Sequence, residues 1–157
     1  MADLRMRWIV LAFAGCGSAA ADQPRSERSS GIRPPAAWQA LPSVADAARA
    51  AASATGVTVD GSEAWGEPAM GCYALWIALR GAGGTAEQVE GGLAAHAIAA
   101  TPEAGDATTW TVERAPYRGR LRARFADGAI EVLACVANDR ERAACATACG
   151  GLLEALH

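Results

Sequence analysis

Residues 118–156 set a hairpin signal directly before a helical stretch that carries two cysteines, and no other feature of the chain limits its fold so strongly. Asp127-Gly128 accepts the positive φ that a two-residue hairpin turn requires, and alternating runs flank it on both sides. With that turn, Phe125 stands opposite Ile130, Arg124 opposite Glu131 and Ala123 opposite Val132. Side chains alternate along a strand, so Leu121, Ala123, Phe125, Ile130, Val132, Ala134 and Val136 share one face, the expected core side. Arg120, Arg122, Arg124, Leu133 and Cys135 then point the other way.

Asn138-Asp139-Arg140-Glu141 follows the second run, with a capping residue and an acid three positions on, so a helix is expected to start there. Cys145, Cys149, Leu152 and Leu156 fall at i, i+4, i+7 and i+11, which places both thiols on the apolar stripe of that helix. Gly150-Gly151 is a point where it can kink or end.

Upstream, Ser43 with Asp46 three residues on predicts the start of an alanine-rich helix, and Gly56 suits the left-handed position beyond its end. Trp38 and Leu41 are placed to staple its first turn. Val57-Thr58-Val59 reads as a short strand and Asp60-Gly61-Ser62 as a turn. Residues 72–79 are almost wholly apolar, so periodicity alone does not separate a central strand from a buried helix. Gly71 before, Gly81 after, and the Tyr, Trp and Ile within favour the strand. Thr85-Ala86-Glu87-Gln88 is a capping box, opening a helix that carries Val89, Leu93, His96 and Ala100 along one side and stops before Pro102. Thr108 to Glu113 alternates as a strand does, and Pro116 separates it from the hairpin. The order predicts an α+β domain: an antiparallel sheet of about four to five strands, with about three helices packed mainly on one face.

The first residues read as an export signal, with Arg5 and Arg7 before the apolar run 8–14, which is too short to span a bilayer. Phe13-Ala14-Gly15-Cys16 resembles the lipobox of bacterial lipoproteins. That resemblance implies cleavage before Cys16, acylation of Cys16 and a membrane tether on the periplasmic side. Gly17 stands where some lipoproteins carry an Asp that retains them at the inner membrane, which points to the outer membrane. The alternative is ordinary cleavage after Ala19-Ala20-Ala21, giving a soluble secreted or periplasmic protein. The expected organisation is therefore a signal over residues 1–15 (alternatively 1–21), a flexible, polar Pro/Gly/Ser-rich tether over 16–37, and one domain over 38–157. Cleavage before Cys16 removes Asp3, Arg5 and Arg7 and takes the formal charge from −3 to −4. A charge so mild and scattered gives no basis for a nucleic-acid partner.

Without Cys16, four cysteines remain: Cys72, Cys135, Cys145 and Cys149. In an exported chain an even number predicts two disulfides. Cys145 and Cys149 on one regular helix project side by side, so each is expected to bond to the sheet, with Cys135–Cys145 and Cys72–Cys149 the favoured pairing. The competing reading takes Cys145 and Cys149, with His157, as a Cu(I) or thiol-redox site, since a Cys-x-x-x-Cys pair near a His suits a soft metal.

Arg118, Arg120, Arg122 and Arg124 form an alternating strip able to hold an anionic envelope component, or simply a solvated strand face. His96 reads as a boundary residue, and Trp65, Trp76 and Trp110 as core. Asp60, Glu63 and Glu67 are the acids placed to meet across a cleft. No Ser, Thr or Cys has a nucleophile context, and the chain contains two histidines, so no catalytic residue and no cofactor is assigned. The expected role is non-catalytic binding or accessory work at the envelope, with the membrane reached through Cys16.

Overall fold

The computed structural model describes residues 27–81, 84–126, 128–138 and 142–156. The export signal, Cys16, the first part of the 16–37 run, Asp127, the cap residues Asp139, Arg140 and Glu141, and His157 lie outside them.

In chain order the elements are β1 (Gln39–Ala40), α1 (Pro42–Ser53), β2 (Thr58–Glu67), β3 (Cys72–Arg80), α2 (Ala86–Ala95), β4 (Ala99–Glu103), β5 (Asp106–Arg114), β6 (Tyr117–Ala126), β7 (Ala129–Asn138) and α3 (Arg142–Glu154). The strands form one antiparallel sheet of seven, ordered β1-β2-β3-β7-β6-β5-β4. That exceeds the four to five strands expected, for two reasons. The additional β1 is only two residues long, and β4 lies where the second helix was expected to continue.

The β6–β7 hairpin has the register read from the sequence: Phe125 pairs with Ile130, Arg124 with Glu131 and Ala123 with Val132. Residues 72–79 are strand, and β3 pairs with both β2 and β7, which makes it central. Thr85 caps α2 as a full capping box: the Gln88 N–H donates to Thr85 Oγ1 at 3.3 Å, and the Thr85 N–H donates to Gln88 Oε1 at 3.1 Å.

Three local expectations are corrected. α1 begins at Pro42 with Leu41 as its cap, not at Ser43; proline at the first helical position lacks only an N–H that would have no helical partner. Asp60-Gly61-Ser62 is no turn, because β2 runs through it with a register shift between Val59 and Gly61. α2 stops at Ala95, and Ala97, with φ of 57°, turns the chain into β4, where Pro102 sits on the outermost strand.

Both faces of the sheet are buried. On one, Ala45, Ala48 and Ala52 of α1 and Val89 and Leu93 of α2 belong to one cluster with Leu75, Ile77, Leu79, Leu121, Ala123, Ile130 and Val132. The hairpin face expected as core lies here. On the other, Cys145, Cys149, Leu152, Leu153 and Leu156 join Trp76, Leu133, Cys135, Trp65 and Trp38 in a second cluster. The helices thus divide two to one between the faces. β3 and β7 are apolar at nearly every position because each of their faces meets a core.

Candidate functional site

The second face carries most of the residues singled out in the sequence. Two disulfides tie α3 to it, Cys72–Cys145 with Cα atoms 5.7 Å apart and Cys135–Cys149 with Cα atoms 5.5 Å apart. All four sulfur-bearing residues are buried. Cys145 and Cys149 each reach the sheet, as their helical spacing required, but the partners are exchanged relative to the favoured pairing.

The register explains the exchange. Cys72 pairs with Ala137, one residue from the end of β7, whereas Cys135 pairs with Ala74, two residues further in. A helix that follows β7 passes the Cys72 row first, so Cys145 bonds there, and Cys149 reaches the inner row one turn later. Cys135 is buried although it points away from the hairpin's expected core side, since its own face is itself a core. With both sulfurs of the Cys145/Cys149 pair in cystines, a Cu(I) site on them would require both bonds to be reduced first. Among the described residues no group of three or more His, Cys, Asp or Glu side chains could hold a metal ion.

The four arginines of β6 face the same side, beside α3, and each is engaged. Arg118 donates from Nε and Nη2 to Glu113 Oε2 at 2.9 and 2.5 Å. Arg120 grips both oxygens of Glu103 at 2.5 and 2.6 Å. That two-point contact holds the guanidinium pKa above its ordinary value. Arg122 Nη1 donates to the Leu153 carbonyl at 3.2 Å, a cation at the C-terminal end of α3, where the helix dipole favours it. Arg124 pairs with Glu131 at 2.7 Å. An anion docking on this strip would have to exchange with these three carboxylates or with the Leu153 carbonyl.

Glu131, whose role beyond its pairing with Arg124 the sequence did not reveal, is one of two buried polar residues among the described residues. It also accepts from Arg28 Nη2 at 2.5 Å, a residue of the polar run that precedes the domain. Beside it, Ser29 Oγ donates to Glu63 Oε1 at 2.8 Å, and Ser30 bonds the same carboxylate through its N–H and its hydroxyl. Ile32 is buried in the second cluster. Residues 28–32 of the 16–37 run therefore lie against the sheet.

Two of the three acids of β2 hold separate partners: Glu63 serves the two serines, and Asp60 receives Arg80 Nε and Nη2 at 3.0 and 2.6 Å; Glu67 closes the strand opposite Cys72. His96 is the half-buried C-cap of α2. Trp65 and Trp76 belong to the second cluster and Trp110 to the first, where its Nε1–H donates to Glu90 Oε1 at 2.8 Å. Asp106 accepts from the Thr108 hydroxyl and N–H and from the Thr109 hydroxyl, contacts that hold its carboxyl down to about 2. No described helix is long and apolar enough to cross a membrane. Comparison with protein-family models, with curated proteins and with solved structures found no match.

Proposed function

We propose that this protein is exported and lipid-anchored through Cys16, and that its domain serves the bacterial envelope by non-catalytic binding rather than by chemistry. The observation that carries the reading is the pair of buried disulfides clamping α3 to the two central strands. Cystines of this kind persist in oxidising compartments outside the cytoplasm. The signal segment and the Phe13-Ala14-Gly15-Cys16 motif supply the anchor. Several acyl chains on one cysteine hold far more firmly than one. Export to the periplasmic side of the outer membrane follows from the same motif with Gly17 after the cysteine.

The test is the intact mass of the protein taken from its native membrane fraction, before and after reduction and alkylation. An acylated chain beginning at Cys16, with four thiols reacting only after reduction, is the expected result. A chain beginning near Asp22 without acyl mass removes the anchor. Cys145 and Cys149 alkylated before reduction would replace the staple with a thiol or Cu(I) site.

A further inference from the structure

Counted along the chain, the four cysteines of the domain are paired crosswise: the first, Cys72, with the third, Cys145, and the second, Cys135, with the fourth, Cys149. The order in which thiols become available favours a different result. A chain delivered from its N-terminus presents Cys72 and Cys135 before Cys145 and Cys149, and closure costs least for the shortest loop, Cys145 with Cys149. Both effects lead to the consecutive pairing, Cys72–Cys135 with Cys145–Cys149. The folded domain has room for neither bond. Cys72 stands opposite Ala137 and Cys135 opposite Ala74, so the two lie on a diagonal of one face. Diagonal neighbours have Cα atoms about 7–8 Å apart, whereas a cystine rarely spans more than about 6.8 Å. Residues four apart on a helix, as Cys145 and Cys149 are on α3, hold their Cβ atoms about 5–6 Å apart. A cystine needs about 3.5–4.5 Å.

Burial alone does not reject the consecutive bonds. Cys72 comes opposite Cys135 if β3 slides two residues along β7, and a two-residue slip, unlike a slip of one, leaves every side chain on its own face. Leu75 then meets Val132 and Ile77 meets Ile130, apolar against apolar as before; the visible penalty is Trp76 opposite Glu131 in place of Leu133. A Cys72–Cys135 bond thus fixes a misregistered sheet that the hydrophobic pattern tolerates. In the native domain all four cysteines are buried in the core that α3 covers, where thiols do not reach them. Exchange has to precede the docking of that helix.

We propose that this protein matures through a disulfide isomerase, an exported dithiol catalyst whose thiolate opens Cys72–Cys135 while α3 is still undocked. The inference rests on the export proposed above, since an oxidising compartment supplies the disulfide oxidant that accepts two electrons for each bond formed. The exchange itself is neutral in electrons. The catalyst's thiolate attacks Cys72 Sγ, the Cys72–Cys135 bond breaks, and Cys135 leaves as a thiolate beside the mixed disulfide. Cys135 then attacks Cys149 Sγ, which forms Cys135–Cys149 and frees the Cys145 thiolate. Cys145 attacks Cys72 Sγ in the mixed disulfide, which forms Cys72–Cys145 and returns the catalyst's thiolate.

Oxidation of the reduced, unfolded full chain carrying Cys16→Ser, by oxidised glutathione with and without a purified disulfide isomerase, tests this. The experiment needs no export, so its failure is separate from that of the anchor, which the intact mass decides. Cleavage after arginine leaves Cys145 and Cys149 together in residues 143–157, with Cys72 in 50–80 and Cys135 in 125–140. The native pairing therefore joins three peptides, whereas the consecutive pairing joins two and leaves residues 143–157 internally bonded. A further cut between Cys145 and Cys149 assigns each bond within the three-peptide species. With glutathione alone, samples quenched by alkylation are expected to hold the two-peptide species. The isomerase is expected to convert it to the native pairing at least about tenfold faster, with no thiol gained or lost. Native pairing formed directly, without the two-peptide species, would overturn the proposal. So would a two-peptide species that the isomerase leaves unconverted.

Discussion

The two faces of the sheet solve the same problem with different means. On the face of α1 and α2, apolar packing without a disulfide does the work, and the helices suit it: α1 is rich in alanine, the best helix former, with Ala48 and Ala52 fully buried against the strands. α3, on the other face, is a poor helix by composition. It carries Gly150-Gly151 in its middle, each worth about 1 kcal/mol of lost helix stability relative to alanine, and offers no large apolar side chain from Ala143 to Ala148. Its packing is concentrated in Leu152, Leu153 and Leu156, and the two cystines secure the half that packing does not. Covalent ties appear where buried area is scarce.

If that contrast is right, the largest effect comes from the cystines, and the two should differ. Cys72–Cys145 closes 73 residues and Cys135–Cys149 closes 14. The chain-entropy model then assigns about 4.4 kcal/mol to the first and about 3 kcal/mol to the second. Urea unfolding of the paired Cys→Ser variants is expected to give that order; equal losses would mean that local contacts, not loop closure, set the value of each bond.

Next in size is a truncation on the opposite face. Leu121→Ala removes a fully buried side chain of the first cluster and should cost about 2–5 kcal/mol, by the same amount in oxidised and reduced protein. Leu133→Ala, in the second cluster, should cost less after reduction, once α3 no longer covers it. A double-mutant comparison of the two leucines under both redox conditions would sharpen or erase the distinction.

A smaller and opposite effect is expected at Gly151, which is exposed and where an added Cβ meets nothing within 4 Å. Gly151→Ala should raise stability by about 0.5–1 kcal/mol, visible as a higher midpoint in urea. No change would show that α3 is limited by its cross-links and not by its helix propensity.

The smallest effect concerns neither helix. Asp106 has its carboxyl lowered from 3.8 to about 2 by the Thr108 and Thr109 contacts. A depressed folded value stabilises the ionised form, so its contribution is complete above the unfolded value and is lost as pH falls from near 3.8 through about 2. Because the group lies at the surface, the slope should be shallow; thermal unfolding followed over that range should lose the slope in Asp106→Asn.

Much of the sheet is legible in the sequence alone. Asp127-Gly128 determines a register, and a register determines which residues share a face, so the hairpin pairs were readable one by one. Thr85 and Gln88 were readable for the same reason: a capping box is a local contact between near neighbours. β4 was not, because Ala99 and Ala100 suit either state and Pro102, taken as a helix stop, is equally at home on an outer strand. The second core was missed although a signal existed. Cys72, Ala74, Trp76 and Ala78 on β3, and Leu133, Cys135 and Ala137 on β7, are apolar on the face that the arginines of β6 made look solvated. Two neighbouring strands apolar on both sides require cover on both sides. Arg28–Glu131 and the serine contacts to Glu63 join residues more than thirty positions apart, and nothing in a polar, aperiodic run announces such a partner.

The geometry of the staple has a mechanical consequence. Cys145 and Cys149 lie one turn apart on α3 and are bonded to neighbouring strands at successive rows, Cys72 on β3 and Cys135 on β7. A rod fixed at one point can still swivel; fixed at two, it has a set bearing. α3 is thus a bracket across the middle of the sheet, and a load applied to it is shared by the two central strands at once, in shear, instead of peeling the sheet from an edge.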